Sequence, residues 1–146
     1  MRYRIVWVEP VFFFAFGLFH LHRIWGLLDR RGYASFWLGL LENKGGVYWG
    51  LMGALSVLCI AGLAVLFRCR GRHPWWHWVY LLGGGYVLFD LLAIAAGLEA
   101  WQLLLQWMFD ADNPAWNWIW GGFSVLGLLS LLLGCYLFYQ KQKMKE

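Results

Sequence analysis

The sequence predicts an all-α integral membrane protein, a compact four-helix transmembrane bundle with a short amphipathic interfacial helix between helices 3 and 4. Three observations carry this prediction. Of 146 residues, 62% are hydrophobic and only 14% charged, whereas an ordinary soluble domain has about 25% charged residues. The apolar residues gather in four runs of the length needed to cross hydrocarbon, about 20 residues each. The runs are continuous rather than alternating, so each is expected to be helix: open sheet edges do not survive in lipid, and barrel strands alternate. Four spans use most of the chain, so residues 1–146 are expected to form a single transmembrane domain.

The first span is expected over 5–27, interrupted by Glu9, His20, His22 and Arg23. Arg2 and Arg4 ahead of an apolar run suggest a secretory signal, but no small-residue cleavage site follows, so the run is kept as a helix. The connection 28–46 holds an apolar stretch, 33–41, too short to span and too apolar to be solvated; it is expected at the interface. The second span, 47–67, is free of Asp, Glu, Lys, Arg and His. The third, 75–97, carries His77 and Asp90.

Over 99–109, Glu99, Gln102, Gln106 and Asp110 share one helical face, and Trp101, Leu104, Leu105 and Met108 the other, as in a helix lying flat on a membrane surface. Asp112, Asn113 and Pro114 then cap and start the fourth span, 115–139. Trp116, Trp118 and Trp120 suit an outer aromatic belt, and Trp75, Trp76 and Trp78 an inner one. Small residues mark expected close helix approaches: Gly50, Ala54 and Ala61, then Gly83 and Gly97, then Gly127, Ser130 and Gly134. The same stripes suit a homo-oligomer or a membrane-protein partner.

With four spans, both termini share a side with the connection 68–74. That side holds eight basic residues: Arg2, Arg4, Arg68, Arg70, Arg72, Lys141, Lys143 and Lys145. The other holds three: Arg30, Arg31 and Lys44. The asymmetry predicts cytoplasmic termini in a plasma membrane.

Ionisable groups inside a membrane are costly and face the bundle interior. At 100° per residue Glu9, Phe13, Phe16, His20 and Arg23 share one arc of the first helix. Gly83, Tyr86, Asp90 and Gly97 share an arc of the third. His20 and Asp90 lie at similar depth, so a cluster of His20, Arg23, Tyr86 and Asp90 is expected in the outer half, with Asp90 in bonding reach of His20 or Arg23. One reading is a buried pair that fixes helix register. The other is a lined cavity or relay, with Glu9 as its inner end.

Other chemistry finds little footing. Cys59, Cys69 and Cys135 are odd in number and form no C-x-x-C pair. His73 and His77 have ligand spacing, but Pro74 places His73 outside the helix, so no metal site is expected. His20 and His77 are roughly 20 Å apart in depth, too far to share a haem within one chain. Ser124 lacks an elbow or oxyanion-hole signature, and Ser in a membrane helix usually bonds its own backbone. Gly83, Gly84 and Gly85 lack the Lys and spacing of a phosphate loop and suit packing. No catalytic residue, no particular cofactor and no nucleic-acid partner is indicated; the lipid bilayer is the partner the composition implies.

The expected function is therefore that of a small polytopic membrane protein, non-enzymatic and of accessory, regulatory or immunity type, acting through helix–helix or lipid contacts. An oligomeric transporter or ion-coupled carrier using the Glu, His, Arg and Asp groups is the alternative. A quinone- or haem-binding redox protein is the lesser one.

Overall fold

A computed structural model describes residues 4–69 and 74–143. Arg2, Arg70, Arg72 and Lys145 of the charge count, and His73, lie outside the described residues. Among the described residues the chain is all-helical, without a strand. Four stretches are long and apolar enough to cross a membrane: Val8–Leu28, Gly46–Arg68, His77–Ala95 and Trp116–Lys143.

The first stretch comprises α1 (Val8–Leu21) and α2 (Arg23–Leu28), which meet at His22. Pro10 sits in the first turn of α1, where a missing N–H costs nothing because the first four have no helical partner. Glu9 accepts a hydrogen bond from the Val6 N–H at 2.8 Å and places its charge at the favourable end of the helix dipole.

The connection that follows is a helix in its own right, α3 (Arg30–Glu42). Asp29 starts it: its backbone is extended and its carboxylate accepts from the Gly32 N–H at 3.0 Å. A Cβ at Gly32 would collide with that carboxylate. Rather than only resting at a surface, α3 buries Tyr33 against Trp116, Trp120 and Phe109.

The second stretch is α4 (Gly46–Arg68). The third is composite: one turn, α5 (His77–Val79), a π-helical segment Tyr80–Gly84, and α6 (Gly85–Ala95). The glycines here serve packing. A Cβ at Gly83 would stand 3.2 Å from the Phe16 ring, and Gly84 lies over Cys59. A helix with three successive glycines yields readily to the wider π geometry.

Gly97, expected at a helix contact, instead ends the helix. It has φ +66, and the Leu98 N–H bonds the Ala93 carbonyl at 3.1 Å while the Gly97 N–H bonds that of Ile94 at 3.2 Å. This is a Schellman ending, and it folds the chain back so that α7 (Glu99–Met108) packs on α6. Trp101, Leu104, Leu105 and Met108 turn inward while Gln102 and Gln106 stay exposed. Asn113 then bonds the Ala115 N–H and the Trp107 carbonyl and leads into α8 (Trp116–Lys143), whose last turn carries Lys141 and Lys143.

The closest contact is between α1 and α8, which run antiparallel. A Cβ at Gly17 would lie 2.8 Å from the Gly127 carbonyl oxygen, and one at Gly127 would lie 3.0 Å from that of Gly17. Gly134 meets the Phe14 backbone, and the Trp116 indole donates to the Gly26 carbonyl at 2.7 Å. The core of Phe12, Phe13, Phe16, Cys59, Tyr80 and Leu137 fills the middle of the bundle.

Two expectations change at the side-chain level. Trp116 and Trp120 are buried at 0% and 2% exposure, and only Trp118, at 85%, faces outward, since residues four apart share a helix face and the one between them does not. Gly50, expected at a close approach, has open space where a Cβ would be, as do Gly46 and Gly53; Gly62 is the α4 glycine pressed against Phe12 and Tyr80.

Candidate functional site

The polar groups of the bundle form two stations. At the end that carries the termini, Glu9 and His77 are both fully buried, with His77 Nε2 3.2 Å from Glu9 Oε1. The same oxygen accepts from the Trp76 indole N–H at 2.9 Å, while Oε2 takes the Val6 N–H. The carboxylate is thereby held by donors on both oxygens, the arrangement that makes a buried carboxylate tolerable. The sequence reading placed Glu9 alone and missed His77 and Trp76. The signal was present: in an up-and-down bundle the first and third helices start at the same end.

The other station lies at the far end of the bundle. A cavity of about 110 Å³ is bordered by α2, α3, α4, α6, α7 and α8 together with the end of α1. His20, Arg23, Tyr86 and Asp90 all border it, so the four residues gathered from helical arcs meet around one space. They do not bond one another. His20 Nδ1 pairs with the Phe16 carbonyl at 2.9 Å, the bond of a helical side chain to its own preceding turn. Asp90 accepts from the Trp101 indole N–H at 2.5 Å. Among the described residues no ion pair joins Asp90 to Arg23 or His20. The physical reason is the return of α7, which brings an indole donor to the carboxylate.

Arg23 lies among aromatic faces, its guanidinium carbon 4.7 Å from the Phe123 ring centre and 5.0 Å from that of Phe19, and one of its NH groups reaches the Phe19 carbonyl at 3.4 Å. Cation–π attraction of this kind contributes about 0.5–2 kcal/mol, most when desolvated.

Five residues that border the cavity each carry a buried polar atom without a hydrogen-bond partner: His22 Nε2, Arg23 Nε, Trp37 Nε1, Tyr48 OH and Trp120 Nε1. Each unmade bond of a buried group costs about 1–3 kcal/mol, and native proteins contain few of them. Here they belong to residues around one space. Tyr33, on α3, is 3.3 Å from His22 Nδ1. Burial pushes its phenol above the ordinary range, so it stays neutral. With that phenol donating to Nδ1, the imidazole hydrogen resides on Nε2, which then faces its surroundings as a donor.

Between the two stations runs an aromatic stack. Tyr80 lies against His77 and Phe12, Phe12 stacks on Phe16, and Phe16 packs on His20 at a ring separation of 4.3 Å. Glu9 thus belongs to a separate site from the far-end cluster. Ser124 donates to the Trp120 carbonyl at 2.8 Å, the backbone bond expected of a helical serine. Among the described residues, no three His, Cys, Asp or Glu side chains are grouped so as to hold a metal ion. Compared with family models, curated proteins and solved structures, the chain matches none.

Proposed function

We propose that the chain is an integral membrane protein of the plasma membrane, non-enzymatic and of accessory or regulatory kind. Its working contact is with a lipid-phase molecule held in the far-end cavity. The observation that carries the reading is that His22, Arg23, Trp37, Tyr48 and Trp120, each with a buried polar atom that has no hydrogen-bond partner, all border one aromatic-walled space. A buried polar atom left without a partner adds nothing to the stability of a bundle, whereas a binding site needs such atoms free until its occupant arrives.

The test is retention. The full chain, purified in mild detergent and extracted with organic solvent, should carry a near-stoichiometric membrane-derived molecule visible by mass spectrometry. Leu104→Trp, which fills the cavity from half-buried α7, should abolish retention while the protein stays monodisperse. Equal retention by parent and variant, or none in either, would refute the reading.

The orientation that goes with it has both termini in the cytoplasm, on the basic asymmetry of eight residues against three. Alkaline phosphatase fused within 109–113 should be active, and the same enzyme fused after the last residue should be silent. The reverse pattern overturns it. A second contact surface is the open face of α4, where Gly46, Gly50 and Gly53 leave room for another helix to approach closely, in a partner protein or a second copy.

A further inference from the structure

The end of the bundle opposite the cavity carries a groove between the start of the chain and the end of α4. Resting on the reading of the bundle as membrane-spanning, we propose that this groove takes an anionic phospholipid. Its phosphate lies on Arg4 and Arg68, and an acyl chain lies along the apolar walls. The groove measures about 460 Å³, within the roughly 300–1,000 Å³ of small-molecule sites.

The walls follow from the local chain. Ile5 turns into the core, and its carbonyl accepts from Lys141 of α8 at 2.5 Å. That pins the segment ahead of α1, so that Arg4 and Val6, on either side of Ile5, border the groove together with Val8. The facing wall is α4, where Ala61, Ala64, Val65 and Arg68 have the spacing of one helical stripe. Two alanines in that stripe leave space that larger side chains would fill. Arg68 stands in the last turn of α4, and Ala61 lies seven residues, about 10 Å, closer to the middle of the helix. One end of the groove is therefore cationic and the rest is apolar.

Charge then selects the occupant. Among the described residues the end that carries the termini has one carboxylate, Glu9, whose oxygens are engaged by Trp76, His77 and the Val6 N–H. No described acid borders the groove, and among the described residues neither arginine has an ion-pair partner. Two exposed guanidiniums beside an apolar channel match a phosphate diester attached to hydrocarbon. The planar fork of a guanidinium fits phosphate oxygens, and basic pockets between membrane helices on the cytoplasmic side hold anionic head groups. A soluble anion would leave the valines and alanines unused, and a zwitterionic lipid brings its own cation against the arginines. Because both arginines are exposed, this lipid exchanges and washes out in detergent, so the site is read by titration rather than by retention.

The experiment takes the full chain in mild detergent and titrates it with phosphatidylglycerol or phosphatidylcholine, reading bound lipid by native mass spectrometry. The parent should take up phosphatidylglycerol first. Arg4→Gln and Arg68→Gln should each weaken that uptake about fivefold, the worth of one basic residue at an anionic lipid surface. Arg31→Gln, exposed on α3 at the other end, should bind like the parent. Ala64→Phe and Ala61→Leu fill the groove while keeping both charges, and the one that keeps the parent's unfolding temperature should lose the phosphatidylglycerol preference. Equal uptake of the two lipids by the parent, or equal titrations of the parent and both arginine variants, overturns the proposal. A filled groove that binds like the parent also overturns it, since surface charge alone would then account for the uptake. Inorganic phosphate should not displace the lipid; full displacement would make the occupant a free anion. Release of the chain from the membrane fraction by detergent alone checks the membrane reading separately.

Discussion

Replacing Gly127 with valine is expected to force α1 and α8 apart and to destabilise the folded protein markedly. The Cβ alone would lie 2.9 Å from the His20 Cβ and 3.0 Å from both the Gly17 carbonyl oxygen and the Leu21 nitrogen. These are backbone or backbone-attached atoms of a helix, so no rotamer change relieves them. Overpacking with yielding side chains costs about 1–3 kcal/mol, and a clash against backbone belongs at or above the top of that range. At about 2–4 °C per kcal/mol for a chain of this size, the unfolding temperature should fall by roughly 10 °C. The control is Gly50→Val, where the added side chain meets open space on α4 and the isolated protein should be unaffected. Size-exclusion profiles and thermal unfolding of the two variants side by side decide the matter. A Gly127→Val protein as stable as Gly50→Val would mean that α1 and α8 do not approach as described.

The second large effect is expected at Glu9. Leucine there removes the acceptor for the Trp76 indole and the Val6 N–H and takes away the carboxylate beside His77, all in a fully buried setting. Removing one member of a buried pair typically costs about 3–5 kcal/mol, because the remaining polar groups are then poorly served. Glu9→Gln keeps an amide oxygen for the indole and should recover part of the loss. The interaction with His77 is isolated by a double-mutant cycle of Glu9→Gln with His77→Gln, read by thermal or chemical unfolding. A coupling of at least about 1 kcal/mol is expected for groups in direct contact. Additive losses would show that the two residues are neighbours without being partners, and an undiminished Glu9→Leu would show that the station contributes nothing to stability.

These two sites differ in how visible they are beforehand. Gly127 was legible as part of a small-residue stripe, whereas its counterpart Gly17 was hidden in an aromatic-rich run. Glu9 was legible as a charge in an apolar segment, but its partners required knowing which helix ends share a level. The far-end cavity shows the same division. Helical arcs and depths bring His20, Arg23, Tyr86 and Asp90 to one place because helix geometry is regular over a span. The Trp101 bond to Asp90 escaped, since it depends on a left-handed Gly97 that sends α7 back over α6. Trp37 was read as a connection residue, Tyr48 as part of the second span and Trp120 as belt, and nothing local in the sequence marks them as bordering a cavity.

What the sequence by itself determined is the number of long apolar helices, their approximate bounds and the faces on which their costly residues lie. These follow from quantities local to the chain: the length of apolar runs, the 3.6-residue period and the price of an ionisable group in an apolar setting. Only the tertiary structure decided which polar groups bond, which tryptophans are core, and that the first connection folds into a helix with Tyr33 at its buried face. Those outcomes turn on helix rotation and approach within a few ångströms, set by glycine contacts such as Gly17 with Gly127 and by the turn at Gly97, which no single segment specifies alone.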